Sequence, residues 1–180
     1  MLKGAHVPTE KQIDDWLQFA RRILRVLSRR KMQQFNRRVS IGDLLTERSE
    51  NASIYGFGEG TTMYDNVLVI GNVKVGRNCW IGPNVTLDGT GGLEIGDWVC
   101  IDSGVQIYTH DSSQRFVNLG KGTDPRSPTK IGSGVFIGPQ TVIAMGVTIG
   151  DGVKIGAMSF VNKDVPSGST AFGIPVKSRA

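Results

Sequence analysis

From Met63 to Val161 the chain repeats itself every six residues, and a period of six admits very few folds. Large apolar residues stand at Met63, Val69, Val75, Ile81 and Leu87, then after two extra residues at Ile95, Ile101 and Ile107. After a break they return at Ile131, Ile137, Ile143, Ile149, Ile155 and Val161, which makes fourteen hexads. Four residues after most of them comes a second small or β-branched residue: Val67, Val73, Cys79, Val85, Val99, Val105, Val135, Thr141, Val147, Val153, Ser159 and Val165. Six is not a multiple of 3.6, and Val, Ile and Thr dominate, so the pattern excludes helix and predicts short strands. Gly, Asp, Asn or Ala follows most of the large residues, and Asn78, Asn84, Asp97, Gly104, Gly134, Gly146 and Gly152 add turn formers. These residues tolerate tight corners and positive φ, which accounts for 24 glycines in 180 residues. A short strand, a corner and the same again describes an all-β solenoid with flat faces, each strand pairing with its counterpart one coil away.

The segment ahead of the repeat is of another kind. Residues 1–40 hold ten Lys/Arg against three Asp/Glu, net +7, whereas residues 41–180 hold eleven against thirteen, net −2. The overall charge of +5 is therefore a property of the N-terminus, and nucleic-acid binding, which would have to run through that segment alone, is not expected. From Thr9 to about Arg38 the residues Ile13, Trp16, Leu17, Ala20, Ile23, Leu24 and Leu27 keep helical spacing and predict a basic amphipathic α-helix. Thr9 caps it, Glu10, Asp14 and Asp15 sit at its positive end, and Arg29, Arg30 and Lys31 are expected at its negative end. Eight cations and no anion lie between Arg21 and Arg38. Two uses of this helix stay open: its apolar stripe packs on the body or a neighbouring subunit, or residues 9–38 make a peripheral contact with anionic membrane.

The resulting organisation is a helix over 1–40, a connecting segment over 41–62, the repeat over 63–166 and a tail over 167–180. No apolar run reaches the ~20 residues of a membrane span, and Met1–His6 lacks the apolar core of a secretory signal, so a cytoplasmic protein is expected. Cys79 and Cys100 are too few for a disulfide framework and read as small buried residues. A metal enzyme on such a coil would need three histidine ligands, and the chain has only His6 and His110, so no metal is assigned.

Chemistry is expected where the repeat breaks. Ile107 to Ile131 spans 24 residues where one hexad would take six, which leaves an eighteen-residue excursion over about 112–129. His110 stands at its root.

The stretches Ile81-Gly82-Pro83-Asn84-Val85-Thr86-Leu87, Ile107-Tyr108-Thr109-His110-Asp111, Ile131 to Pro139 and Gly146 to Gly156 resemble the hexapeptide-repeat acyltransferases. They are similar to the maltose, galactoside and cell-surface-polysaccharide O-acetyltransferases over about residues 60–180. The resemblance implies a left-handed parallel β-helix with three hexads per coil, an exception to the right-handed crossover rule. It also implies a homotrimer and transfer of acetyl from acetyl-CoA to a hydroxyl of a sugar, glycan or nucleotide sugar. A related chemistry, N-acetylation of an amino sugar, requires the same base, and a non-enzymatic scaffold would require neither the excursion nor the histidine. By the same resemblance His110 is the general base: imidazole, with an unperturbed pKa near 6.5, can accept the acceptor's proton at pH 7. Tyr108 is implied beside the acceptor, Asp111 is expected to orient an acceptor or the loop or to be an exposed loop residue without such a role, and Asp88, in the bulge from Leu87 to Leu93, is expected to meet sugar hydroxyls or to form a turn. The coenzyme A residues carried over are Phe136, where tryptophan is commoner in the family, Gly138, Ala157, Asn162, Lys163, Pro175 and Lys177. Pro139 stands where some members have serine.

Overall fold

The computed structural model describes residues 7–179 and forms two compact units, the first ending at Thr46 and the second starting at Glu47. Met1–His6, read above for the absence of a secretory signal, lie outside the described residues.

In the first unit α1 (Glu10–Phe35) starts with a capping box, the Thr9 hydroxyl accepting from the Gln12 N–H while the Gln12 side chain accepts from the Thr9 N–H. It stops at Asn36, whose left-handed backbone (φ 49°) donates back to the Met32 carbonyl. The helix therefore runs past Lys31, and the cations expected at its C-terminus lie a turn or more inside it. A short α2 (Ile41–Leu45) follows, capped by Ser40.

The second unit opens with α3 (Arg48–Ile54), whose Ala52 is buried with Phe57 and Met63 over the first coil and whose Asn51 side chain donates to the Met63 carbonyl. The segment 41–62 thus contains two short helices that no periodicity announced. The strands then run β1 (Thr62–Met63), β2 (Leu68–Val75), β3 (Trp80–Ile81), β4 (Thr86–Ile95), β5 (Cys100–Ile101) and β6 (Gln106–Ile107). The excursion carries α4 (Ser113–Val117). After it come β7 (Thr129–Ile131), β8 (Phe136–Ile137), β9 (Val142–Ile143), β10 (Thr148–Ile149), β11 (Lys154–Ile155), β12 (Phe160–Val161), β13 (Thr170–Phe172) and β14 (Lys177–Arg179).

Register shows the coil length directly. Thr62 pairs with Trp80, Leu68 with Thr86, Phe136 with Lys154 and Val142 with Phe160, all in parallel and all eighteen residues apart. Three hexads make one turn of a parallel β-helix. Face one holds β1, β3, β5, β8, β11 and β13; face two holds the first halves of β2 and β4 with β6, β9 and β12; face three holds their second halves with β7 and β10. β2 and β4 run continuously through the corner between faces two and three. Across β4 to β6 the offset is twenty, from the two extra residues of the bulge, and across β6 to β9 it is thirty-six, one coil plus the eighteen-residue excursion. The tail continues the sheet: β13 closes face one, and β14 pairs back on it antiparallel.

The hexad's two apolar positions both point inward. Ile81, Leu87, Ile101, Ile107, Ile137, Ile143, Ile155 and Val161 have no exposed surface, and Val85, Val99, Val105, Val135 and Val153 are buried beside them. Each such aliphatic contributes about 1.5–3 kcal/mol on burial, so the stack is held by a column of like residues repeated coil after coil. Corners are less uniform than the sequence suggested. The left-handed positions include Trp98, Gln140 and Met158 as well as Asn and Gly. Asp97, read as a turn former, has another role: its carboxylate accepts the Arg77 N–H one coil away at 2.7 Å.

Candidate active site

The two breaks in the repeat fall at one corner, between faces two and three, on consecutive coils. On the first coil β4 carries the bulge after Asp88; on the next the chain leaves β6 for the excursion. The root of that excursion is a short antiparallel ladder, in which His110 bridges Arg126, the Asp111 N–H donates to the Pro125 carbonyl and the Ser127 N–H to the Thr109 carbonyl. Thr129 ties the returning strand down by donating to the Tyr108 carbonyl at 3.1 Å. Gly91 has to be glycine here, because a Cβ on it would stand 2.3 Å from the Thr109 carbonyl oxygen.

Under this ladder lies Asp88. Its side chain is buried, and of the two expectations, sugar hydroxyls or a turn, the structure shows the turn. One carboxylate oxygen accepts from the Thr90 N–H at 2.9 Å and from the Thr90 hydroxyl. The other accepts from the Thr109 N–H at 2.9 Å and from His110 Nδ1 at 2.6 Å. Burial pushes the Asp88 carboxyl upward, but the Thr90 hydroxyl, the Thr109 and Thr90 N–H groups and His110 outweigh it and hold the acid far below the usual carboxylate range. An ionised carboxylate can only accept, so Nδ1 donates to it, and in the neutral ring the lone pair is on Nε2. The His110 side chain is about one-third exposed, enough to meet an acceptor on its free edge. Sequence reasoning does not join Asp88 to His110; the signal is the coil length, since eighteen plus the two inserted residues puts residue 88 beside 108.

The remaining candidates fall into two groups. Tyr108 is half-buried, its hydroxyl donating to Gln106 Oε1 at 2.7 Å. Asp111 is exposed and accepts the Ser113 N–H, which starts α4; that bond, more than the nearby His110, lowers its carboxyl from the ordinary value. Asn162 and Lys163, both exposed, follow β12 at this same corner, in the column of Tyr108 and Thr109 two coils on, or about 10 Å at ~4.8 Å per coil. Phe136, Gly138, Ala157 and Lys177 gather instead at the corner between faces one and two. Gly138 is buried with its N–H on the Ile155 carbonyl, and a Cβ there would meet the Ala157 backbone nitrogen at 2.6 Å, so it lets coils close up at this edge and presents no side chain. Phe136, Ala157 and Lys177 are exposed, and Lys177 pairs with exposed Phe172. Pro175, after a cis peptide bond, turns the chain so that buried Val176 closes the last coil against Phe160. Five residues of strand and corner separate the two groups across face two, roughly 17 Å at ~3.3 Å per residue.

Known proteins share the repeat and the fold. The family described as bacterial transferase hexapeptide (six repeats) matches residues 128–163, and the hexapeptide repeat of succinyl-transferase matches residues 72–109. The galactoside O-acetyltransferase of Escherichia coli K12 is 36% identical over 106 residues, 59% of this chain and 52% of that protein. The chain thus spans about half the length of the curated relatives it matches. A hexapeptide-repeat acetyltransferase of Vibrio cholerae O1 biovar eltor, solved with acetyl coenzyme A, superposes with a TM-score of 0.64 at 26% identity, covering 99% of this chain and 93% of that one. The N-acyltransferase AntD of Bacillus cereus, solved with dTDP and coenzyme A, gives 0.63 at 25% identity over 69% of this chain and 71% of its own. Among the described residues no helix is long and apolar enough to cross a membrane. By its matched repeats, its three-hexad coil and these likenesses, the chain is similar to the hexapeptide-repeat acyltransferases.

Proposed function

We propose that the protein transfers the acetyl group of acetyl-CoA to a hydroxyl of a sugar, glycan or nucleotide-sugar acceptor, with His110 Nε2 as general base. The observation that carries this reading is the 2.6 Å bond from His110 Nδ1 to the buried, ionised Asp88. That bond fixes the ring and its tautomer and stabilises the imidazolium formed when Nε2 takes the acceptor proton. The deprotonating oxygen attacks the thioester carbonyl; as the tetrahedral intermediate collapses, the C–S bond breaks and the imidazolium returns its proton to the departing thiolate. Exposed Lys163 and Lys177 are cations suited to the phosphates of coenzyme A, and Phe136 offers an exposed ring on face one.

The residues carried over for coenzyme A stand at two different corners, and a homotrimer supplies the missing proximity: a cleft between adjacent copies brings one corner of a coil stack against the next copy's other corner. A cytoplasmic setting in glycan assembly fits a nucleotide-activated or lipid-linked acceptor. N-acylation of an amino sugar is the second reading, favoured by the likeness to AntD.

The test is thiol release from acetyl-CoA over a panel of sugars, amino sugars and nucleotide sugars, with His110→Ala beside the natural chain. The expected result is acceptor-dependent release that falls by at least ~10² in the variant while acetyl-CoA binding is retained. A product labile in mild alkali is an ester, and a stable one is an amide. Equal turnover in the variant removes His110 from the reaction.

A further inference from the structure

The N-terminal unit carries a feature that acetyl transfer does not use. On α1, at 100° per residue, Ile13, Trp16, Leu17, Phe19, Ala20, Ile23, Leu24, Val26 and Leu27 share one half of the helix, and Arg21, Arg22, Arg25 and Arg29 the other. No residue of α1 is buried, and Trp16 and Phe19 are 67% and 61% exposed. α2 extends the apolar half: Trp16, Leu17, Phe19, Ile23, Ile41 and Leu45 line a groove of about 430 Å³. Next to it, sharing Arg21 and Leu24, is a second cleft of about 570 Å³ lined by Arg21, Arg25, Arg29, Lys31, Arg37 and Arg38. No carboxylate lies in sequence between Asp15 and Asp43, so nothing within that stretch offsets these charges. Among the described residues Arg37 Nε is buried without a hydrogen-bond partner, a donor in want of an acceptor.

We infer that this unit docks on an anionic lipid surface. Lipid phosphates occupy the arginine cleft and satisfy Arg37, while Trp16, Phe19, Ile23, Ile41 and Leu45 enter the boundary between headgroups and chains. Charge complementarity selects this occupant over a second copy: another copy brings a net charge of +5 towards the six cations, whereas an anionic bilayer matches them and takes up the adjoining apolar groove at once. The position suits an enzyme whose acceptor is carried on lipid, but the docking does not depend on the catalytic reading.

The experiment is co-sedimentation of the full chain with vesicles of phosphatidylglycerol and phosphatidylcholine, or of phosphatidylcholine alone. Two variants accompany it, Arg25→Gln/Arg29→Gln/Arg37→Gln and Trp16→Ser/Phe19→Ser, and each is checked for sedimentation mass without lipid. The natural chain is expected to bind the anionic vesicles only, and to be released by salt. Each cation near the surface is worth about fivefold in partition, so the triple variant binds about 10²-fold less. The double variant is expected to lose binding with its mass unchanged. Equal binding to both vesicles, unweakened binding by either variant, or a fall in mass of the double variant, which would mean that a second copy covers the apolar face, overturns the inference. None of these readouts uses acetyl-CoA, so failure here leaves acetyl transfer standing, and the reverse holds.

Discussion

Asp88→Asn isolates what the carboxylate does for His110. The side chain keeps its size, so the coil has no reason to shift, but one of two buried oxygens becomes an N–H2 donor. If that nitrogen faces His110 and the Thr109 N–H, two donors oppose it, and His110 can bond to it only by moving its own proton to Nε2, the atom that must be a base. If it faces Thr90 instead, His110 keeps the useful tautomer but gives its proton to a neutral amide. The first arrangement removes the base form, and the second weakens a charge-assisted bond worth about 1.5–3 kcal/mol, or roughly 10–10² in rate. With both populated, turnover is expected to fall by about 10²–10³ while the acetyl-CoA Kd stays within about threefold.

The variant also alters stability with pH in a direction fixed by the depressed acid. Asp88's folded value lies far below its unfolded value of ~3.9, so its stabilisation is full well above that value and is lost progressively as pH falls from there toward the folded value in strong acid. The melting temperature of the Asn variant should therefore lie below that of the natural chain at pH 7, and the gap should narrow in strong acid. Steady-state kinetics and thermal melts on one preparation decide the matter. Full turnover in the Asn variant, or a loss of turnover matched by equal loss of acetyl-CoA binding, would refute the assignment of Asp88 as the residue that positions the base.

Sedimentation equilibrium at micromolar concentration is expected to give three times the 19.5 kDa chain mass, and a mass near 19.5 kDa counts against the shared cleft. Gly91→Ala is expected to cost about 1–3 kcal/mol in thermal melts and to lower turnover beyond the unfolded fraction, because its Cβ must push the Thr109 carbonyl beside His110. Met158→Gly relieves a left-handed backbone (φ 53°) at an exposed side chain and should raise the melting temperature by up to ~4 °C, the relief of ~1–2 kcal/mol being offset in part by chain entropy.

Much of the solenoid was legible because burial forces periodicity: a chain wound three hexads per turn must place an aliphatic residue inward at every sixth position. Ile81, Ile101, Ile137 and Ile155 are a column in the sequence before they are one in space. The corners were less legible because the coil imposes its backbone on whatever residue arrives there. Trp98, Gln140 and Met158 adopt left-handed conformations that their own preferences oppose, held by the ladders on either side. Short helices such as α2 and α3 are only five and seven residues long, too little for a period to be seen. His110 was found by its place at the root of the excursion and by resemblance. The link from Asp88 to His110 is not legible, because Gly89, Thr90, Gly91 and Gly92 spell a local turn, which Thr90 does close on the Asp88 carboxylate, whereas His110 stands twenty-two residues away.

That separation shows how a repetitive fold comes to hold a reactive pair. Coils stacked about 4.8 Å apart set like residues over like residues, so a regular solenoid would place an imidazole over another corner residue of its own type and leave both facing solvent. Two departures on neighbouring coils remove that constraint. The bulge after Asp88 carries Thr90 round to donate back to the Asp88 carboxylate and brings the Gly91 N–H to the Thr109 hydroxyl at 2.7 Å. On the next coil the chain, instead of turning into face three, lifts off as a ladder, so His110 lies above Asp88, two residues beyond its register partner. Neither departure would suffice alone: without the bulge the carboxylate lacks the two Thr90 donors that help keep it ionised, and without the excursion residue 110 continues along the coil. The excursion supplies the base, and the bulge supplies the charge that orients it.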